Sequence, residues 1–409
     1  MDRERQPDPR NPGRPLGRSA LGFVLLFGVV SFFADSTYEG SRSILGPYLG
    51  SLRATATAIG FITGFGELAG YGLRLLSGRW ADVTRRFWAI TIFGYVLQMA
   101  AVPALALTGS WPSAAAFIIL ERIGKATRTP PRDVMLSHAG TELGGYGWVF
   151  GIHESLDQFG AMIGPLIVAA VLAHRAEYRL AFAVLLVPAL INIGLVLLTH
   201  RLYPRPHELE DADPPRHLRH PGLPRIYWTY LAGASLVAAG FADYPLIAYH
   251  WSREALVPAD WIPVFYSVAM AVSGTGSLAF GRLFDRYGLK VLVALTVLAA
   301  GLAPLVFWGN LWLALLGAAL WGLGIGVHES IIPAAVVPLV GPDRRASAFG
   351  LFTAGYGISW FLGSGIIGLL YDRSLLAAVV FCVVTQLAAV PVFGWVSRRH
   401  PVGQVAARP

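Results

Sequence analysis

The 409-residue chain is 55% apolar and only 14% charged, against about 25% charged in a typical soluble domain. With a mean hydropathy of +0.56, too little charge remains to solvate a globular surface of this size, which excludes a soluble enzyme. The 32 Lys and Arg against 24 Asp and Glu leave a net charge of +8, but no basic stretch is interleaved with base-stacking aromatics, so a nucleic-acid partner is excluded too.

Residues 1–18 form a basic, Pro-rich tail. The next, apolar stretch imitates a signal-peptide core, but Asp35 and no small-residue cleavage site comes after it, so it reads as an uncleaved first span. Against the roughly 20 residues a bilayer requires, the apolar runs number twelve, near 19–41, 57–78, 87–108, 112–135, 148–173, 179–200, 227–249, 262–284, 290–308, 311–337, 346–371 and 375–397. Backbone amides in lipid must pair within their own segment, so these are helices. The alternating segments of about ten residues that a β-barrel needs are absent. Cys382, the single cysteine, lies in an apolar run and reads as a buried, inert thiol.

Arg sets the orientation. Arg3, Arg5, Arg10, Arg14 and Arg18 precede span 1; Arg79, Arg85 and Arg86 follow span 2; Arg201, Arg205, Arg216, Arg219 and Arg225 lie between spans 6 and 7. Later loops on the same side carry Arg282, Arg286 and Lys290, Arg344 and Arg345, and Arg398 and Arg399. Loops on the other side carry scattered charges or none. Both termini are therefore expected in the cytoplasm, and the protein in the cytoplasmic (inner) membrane.

The connector, with six prolines between His200 and Arg225, separates two halves that resemble each other. Phe33-Ala34-Asp35 returns as Phe241-Ala242-Asp243, and Gly78-Arg79-Trp80-Ala81-Asp82 as Gly281-Arg282-Leu283-Phe284-Asp285. Leu120 and Gly124 match Leu320 and Gly324; Phe150-Gly151 with Gly164 matches Phe349-Gly350 with Gly363. Matches in this order indicate parallel repeats of six spans around a central cavity. The expected division is a tail at 1–18, bundles at 19–200 and 226–398, a connector at 201–225, and a tail at 399–409.

With these features the chain resembles the major facilitator superfamily, most closely its twelve-span drug/proton antiporters. Gly78, Asp82 and Arg86 stand where the family carries its loop motif after span 2, although Arg85 occupies a usual Gly position. Gly281, Asp285 and Arg286 form the second copy, which keeps Gly288. The resemblance implies that these loops latch the cytoplasmic side. In span 5, Gly151, Gly160 and Gly164-Pro165 resemble the family's antiporter motif, with Val168 and Ala169 replacing its final small residues. Glycines at these positions are expected to let a neighbouring helix approach, with a bend at Pro165. Arg122, with Gly124 and Ala126, partly resembles the intramembrane Arg motif, Lys125 taking a usually uncharged place. The fold implied is all-α, with twelve transmembrane helices in two six-helix repeats.

Charges within spans are expensive, about 2.5–3.5 kcal/mol each on insertion scales, and mark candidate sites. Asp35, Glu39 and Arg42 follow i, i+4, i+7 spacing on one stripe of span 1; at ~1.5 Å per residue Asp35 lies ~21 Å in. Span 2 repeats the spacing with Glu67, Tyr71 and Arg74. Arg122 lies near the centre of span 4, and His153, Glu154, Asp157 and Gln158 cluster in span 5. The second half adds Asp243, His328, Glu329, Trp321, Tyr356 and Trp360. Three readings stay open: structural pairs such as Glu39–Arg42 and Glu121–Lys125; proton or substrate carriage by Asp35, Glu39, Glu67, Glu154 and Asp157 with Arg122 as counter-charge; or a metal at His153-Glu154-x-x-Asp157, which lacks the second His of a zinc helix.

The expected function is secondary transport by alternating access: proton-coupled efflux of a small organic, drug-like and cationic compound, driven by the proton gradient with no cofactor and no metal. The cavity residues Tyr71, Tyr95, Trp321 and Trp360 suit a cation. Arg42, Arg74 and Arg122 point to the alternative, proton-coupled uptake of an anionic or zwitterionic solute. A transporter-like sensor is a further reading. No nucleophile–base motif or nucleotide loop supports an enzyme. The expected partners are the substrate and the lipid bilayer, around a monomer.

Overall fold

The computed structural model describes residues 20–139, 143, 146–205, 223–336, 339–340 and 345–399. The expected N-terminal tail, most of the connector and the tail beyond Arg399 lie outside the described residues. Every regular element among the described residues is helical: α1 (Ala20–Arg42), α2 (Leu45–Ser51), α3 (Ala56–Thr84), α4 (Phe87–Ala104), α5 (Trp111–Ser137), α6 (Tyr146–Arg175), α7 (Tyr178–Val184), α8 (Leu186–Leu202), α9 (Arg225–Ala239), α10 (Tyr244–Arg253), α11 (Trp261–Tyr287), α12 (Leu289–Ala300), α13 (Leu302–Trp308), α14 (Leu311–Gly326), α15 (Ile332–Ala334), α16 (Arg345–Arg373) and α17 (Leu375–Arg399). A π-helical turn, Val327–Ile331, continues α14.

Ten helical stretches among the described residues are long and apolar enough to cross a membrane, with α7–α8, α9–α10 and α12–α13 each counting as one. The helices α3 and α5 have the length, 29 and 27 residues, and are set apart by their charges. Outward-facing Leu190, Val384 and Leu362 are more than half exposed. Such apolar side chains are costly in water and suited to lipid, so the chain is a multi-pass membrane protein.

Local chemistry starts the helices. The side chain of Thr55 accepts the Ala58 amide ahead of α3 at 3.2 Å, and Asn310 accepts the Trp312 and Leu313 amides ahead of α14 at 3.1 and 3.0 Å, supplying first-turn donors with a partner. Pro112 and Pro245 sit in the first turns of α5 and α10, where a missing N–H costs nothing.

One group of helices packs α1 on α6 and α8, α4 on α5 and α8, and α3 on α5; the other packs α11 on α14, α12 on α17, and α9 on α16 and α17. The groups meet where α2 lies on α10, α3 on α16 and α6 on α11. The end carrying α2 and α10 is shut by close backbone approach. A Cβ on Gly46 would stand 1.8 Å from the Pro245 carbonyl oxygen, and one on Gly60 2.3 Å from that of Ser364. Asp372, near the end of α16, locks the same end: its carboxylate accepts the Ala56 and Thr57 amides at 3.1 and 2.8 Å and the Thr57 hydroxyl at 2.6 Å. A carboxylate on a helix N-terminus is stabilised by the unpaired amides there. Toward the opposite end, α3 and α16 remain in touch through Tyr71 and Gly357. By contrast, α6 and α11 part beyond Gln158 and Gly274, so that a Cβ at Gly151 or Gly281 would meet nothing within 4 Å.

The two loop-motif copies both end their helix on a positive φ, in different backbone conformations and with different residues. Arg85 ends α3 in the left-handed conformation, φ 56° and ψ 17°; Gly288 ends α11 at φ 62° and ψ −146°. A side chain is strained in both turns and most of all in the second. Arg85→Gly is expected to raise the thermal unfolding temperature in detergent by relieving roughly 1 kcal/mol, and Gly288→Ala to lower it by an amount equivalent to about 1–3 kcal/mol.

Candidate functional site

The α1 stripe is buried, with Asp35, Glu39 and Arg42 at 5%, 7% and 8% exposure, and its members bond to other helices. The expected Glu39–Arg42 pair is replaced. Arg42 Nη2 reaches Glu67 Oε1 on α3 at 3.1 Å, while Glu39 Oε2 accepts the hydroxyl of Tyr266 on α11. In a bundle, the facing helix offers straighter geometry than the next turn of the same helix.

Glu67 Oε1 also lies 3.0 Å from Arg122 Nη2, so a single carboxylate oxygen pairs with two guanidinium groups. From there a polar chain continues. Arg122 Nε lies 3.6 Å from Glu121 Oε2, which displaces the expected Glu121–Lys125 pair. Gln98 donates to Glu121 Oε1 at 2.8 Å and accepts from Arg128 Nε at 2.6 Å. Arg128, 1% exposed, donates to the Tyr95 hydroxyl at 3.1 Å and closes the circuit 3.6 Å from Asp35 on α1. The circuit thus ties α1, α3, α5 and α4 together at membrane depth, where each unpaired member would be costly. Lys125 and Arg74 stand outside it. The Lys125 ammonium sits 3.9 Å from the Tyr38 ring centroid and the Arg74 guanidinium 5.7 Å from that of Tyr71; neither forms an ion pair among the described residues.

On α6, His153 and Ser31 share a 2.8 Å hydrogen bond. Asp157 lies one turn beyond His153, as Asp35 lies one turn beyond Ser31. The pairs Phe32–Gly160 and Ser36–Gly164 each advance by four residues, so α1 and α6 run parallel, and Asp35 and Asp157 lie within electrostatic reach of one another. Asp35 Oδ1 and Asp157 Oδ1 are buried without a hydrogen-bond donor among the described residues. Gln158 donates to Glu154 at 3.0 Å. Gly160 and Gly164 serve the close approach expected of them, since a Cβ would lie 2.2 and 2.1 Å from the Phe32 and Ser36 carbonyl oxygens; Gly151 meets nothing and serves no packing. The helix α6 continues unbroken through Pro165.

Asp243 lies in the break between α9 and α10. It accepts Trp360 Nε1 at 2.9 Å, Ser364 Oγ at 2.8 Å and, from the other helix group, Thr63 Oγ1 at 2.9 Å. Trp321 braces the break by donating to the Ala242 carbonyl at 3.0 Å, and its ring lies 5.9 Å from the Arg42 guanidinium carbon. The Tyr356 hydroxyl and His328 Nδ1 are 2.7 Å apart, and the Tyr356 ring meets Tyr71 edge-on at 6.1 Å. His328 and Glu329 occupy the π-helical turn, a distortion often found at functional sites; Glu329 is within electrostatic reach of Glu154, Lys125, Glu39 and Arg42. The loop residues Asp82, Arg86 and Arg286 are exposed and form no ion pair among the described residues. The side chain of Asp285 lies outside the described residues.

Sequence reasoning missed Tyr38, Gln98, Arg128, Thr63, Tyr266, Ser364 and Asp372. Tyr38 alone carried a signal, standing between Asp35 and Arg42 on their stripe.

A single family accounts for the chain's length. The family model for the Major Facilitator Superfamily matches residues 24–364, with a second match over 244–409. An uncharacterized protein of Mycobacterium tuberculosis is 42% identical over 378 residues, covering 91% of this chain and 92% of the relative. The fosmidomycin resistance protein of Escherichia coli is 25% identical over 338 residues, covering 80% of each. Among solved structures, a point mutant of the nucleoside transporter NupG superposes with a TM-score of 0.75 at 15% identity, covering 91% of this chain and 100% of that one. A bacterial homolog of the human lysosomal transporter Spinster, inward-facing and unoccupied, gives 0.70 at 14%, covering 97% and 100%. The chain belongs to the Major Facilitator Superfamily; it is a membrane transporter and not an enzyme.

Glu67→Gln leaves Arg42 and Arg122 without a shared counter-charge and is expected to cost about 3–5 kcal/mol, read as a large fall in thermal unfolding temperature. Arg122→Gln leaves the Arg42–Glu67 pair one to one and is expected to cost clearly less in the same assay.

Proposed function

We propose that the chain is a secondary transporter of twelve spans in two six-helix halves, 19–200 and 226–398, exporting a small, partly lipophilic organic compound in exchange for protons. The helices α3 and α5 supply the two spans beyond the ten apolar ones, their charges neutralised inside the bundle. With both termini in the cytoplasm, as the Arg distribution favours, the shut end faces outward and the parted ends of α6 and α11 face the cytoplasm, an inward-open form. No cofactor enters; the proton gradient is the energy source.

The observation that carries the coupling is the Asp35–Asp157 pair. Two carboxylates within electrostatic reach of one another, each with an oxygen lacking a donor and with one guanidinium at 3.6 Å from the first, suit the holding of a proton. Export against a proton follows when substrate and proton compete for that pair. Glu67, saturated by two guanidiniums, and Glu39, held by Tyr266, suit bracing better than carriage. Alternating access requires the α2–α10 and α3–α16 contacts to separate. Hydrogen bonds to a charged group are worth about 1.5–3 kcal/mol each, so those made by Asp243 and Asp372 set a barrier of the size that binding can shift. The resistance protein among the relatives, and the glycines of α6, favour export and a drug-like substrate.

Lys125 and Arg74, unpaired among the described residues, favour a second reading: uptake of a small anionic or zwitterionic solute together with protons.

In proteoliposomes with fosmidomycin as the first probe, flux is expected to follow an imposed pH gradient and to stop being concentrative when an ionophore collapses it. Asp35→Asn and Asp157→Asn are each expected to lower gradient-driven flux at least tenfold while downhill exchange persists. Gradient-driven flux that survives either substitution removes the pair from coupling.

A further inference from the structure

The parting of α6 and α11 leaves a cavity of about 320 Å³ between them. Its wall is mostly apolar, with Phe159 and Met162 from α6 and Met270 and Ala271 from α11. Both helices qualify as membrane spans, so the gap opens at the depth of the bilayer. Phe159 on the rim is 56% exposed and continues the apolar outer surface of α6 inward. Two glycines keep the passage clear: a Cβ on Gly151 would meet nothing within 4 Å, and one on Gly274 would stand 3.5 Å from Gln158. Glu154 and Gln158, one turn apart on α6, supply a polar part of the wall. There Gln158 donates to Glu154, leaving Gln158 Oε1 buried without a donor and Glu154 without an ion pair among the described residues. The Glu154 carboxylate and the Gln158 amide oxygen line the slot as acceptors still open to a donor.

We propose that this slot is a side entrance from the bilayer, holding the hydrocarbon chain of a membrane amphiphile whose cationic, hydrogen-bond-donating head is received by Glu154 and Gln158. An apolar chain entering from lipid leaves no water-exposed surface behind, and methionine walls adapt to chains of differing shape. An ammonium head satisfies both the orphan amide oxygen and the unpaired carboxylate, which an anionic head cannot. Glu329 is within electrostatic reach of both Glu154 and Lys125, so a head held at Glu154 stands near the charged interior. Onward passage of the amphiphile rests on the transporter reading; occupancy of the slot stands without it.

The test places a bimane label at Ala271→Cys, with Thr275→Cys as a second position, in a chain whose Cys382 is replaced by Ala, reconstituted in phosphatidylcholine liposomes. Lipid brominated along its acyl chains is expected to quench the label at least half as strongly as at a lipid-facing Leu166→Cys control, and several-fold more than aqueous iodide. Iodide dominating at both positions, or neither quencher acting, overturns the side entrance. Dodecylammonium is expected to shift the bimane emission at a concentration at least tenfold below dodecanoate, and the preference to vanish in Glu154→Gln. Equal action of the two probes, or a preference that Glu154→Gln leaves intact, overturns the assignment of the head. Bromolipid quenching without proton-driven flux retains the slot and refutes the transport cycle; flux without quenching does the reverse.

Discussion

A charge in hydrocarbon needs a partner, and for Arg42 and Arg122 the partner is Glu67. One carboxylate oxygen takes Arg42 from α1 and Arg122 from α5 at 3.1 and 3.0 Å, and the rest of the polar interior is arranged around that junction. Arg122 brings Glu121 with it; Glu121 fixes Gln98; Gln98 orients Arg128; and Arg128 returns to Asp35. The helices most heavily charged, α3 and α5, are therefore held by their charges as much as by apolar packing. Such a circuit supplies little net stability compared with an apolar core, yet it is intolerant of losing Glu67, the member that two guanidiniums share. It cross-links α1, α3, α4 and α5 within the first helix group.

The interface between the groups is built differently. Asp243, Glu39 and Asp372 reach across it, and each meets hydroxyls, an indole or backbone amides. Contacts between a carboxylate and neutral donors are strong enough to hold one end shut and exchangeable with water when it opens. Glycines at 46 and 60 bring the backbones together there, so the end closes on main chain and needs no bulky side chain to fit. The division of labour places permanent ion pairs within a half and exchangeable hydrogen bonds between halves.

Much of this was legible in the sequence. Hydropathy located the ten apolar helical stretches because lipid leaves a helix no alternative, and α3 and α5 were readable as long helices because an apolar background outlasts a few charges. Gly160 and Gly164 carried their meaning in spacing alone. Side-chain partners were not legible. Spacing of i, i+3 and i, i+4 proposes pairs within one helix, whereas Glu39 finds Tyr266 and Arg42 finds Glu67, choices made by crossing geometry that no local pattern records. Gln98 is a lone amide in an apolar run, and Arg128 stands near a span's end, where a cation ordinarily reaches for the interface. The break at Asp243 is held by residues 117 to 180 positions away in the chain, so nothing local announces it.

The transport cycle proposed above requires the two helix groups to close one end at a time. Nitroxide pairs at Ser51→Cys with Glu254→Cys, on the shut end, and at Arg79→Cys with Arg282→Cys, on the other, report this by double electron–electron resonance in a Cys382→Ala chain. Two distance populations are expected for each pair, with the first pair lengthening as the second shortens when pH or bound compound is varied. A single distance at each end, unchanged across all conditions, would contradict alternating closure.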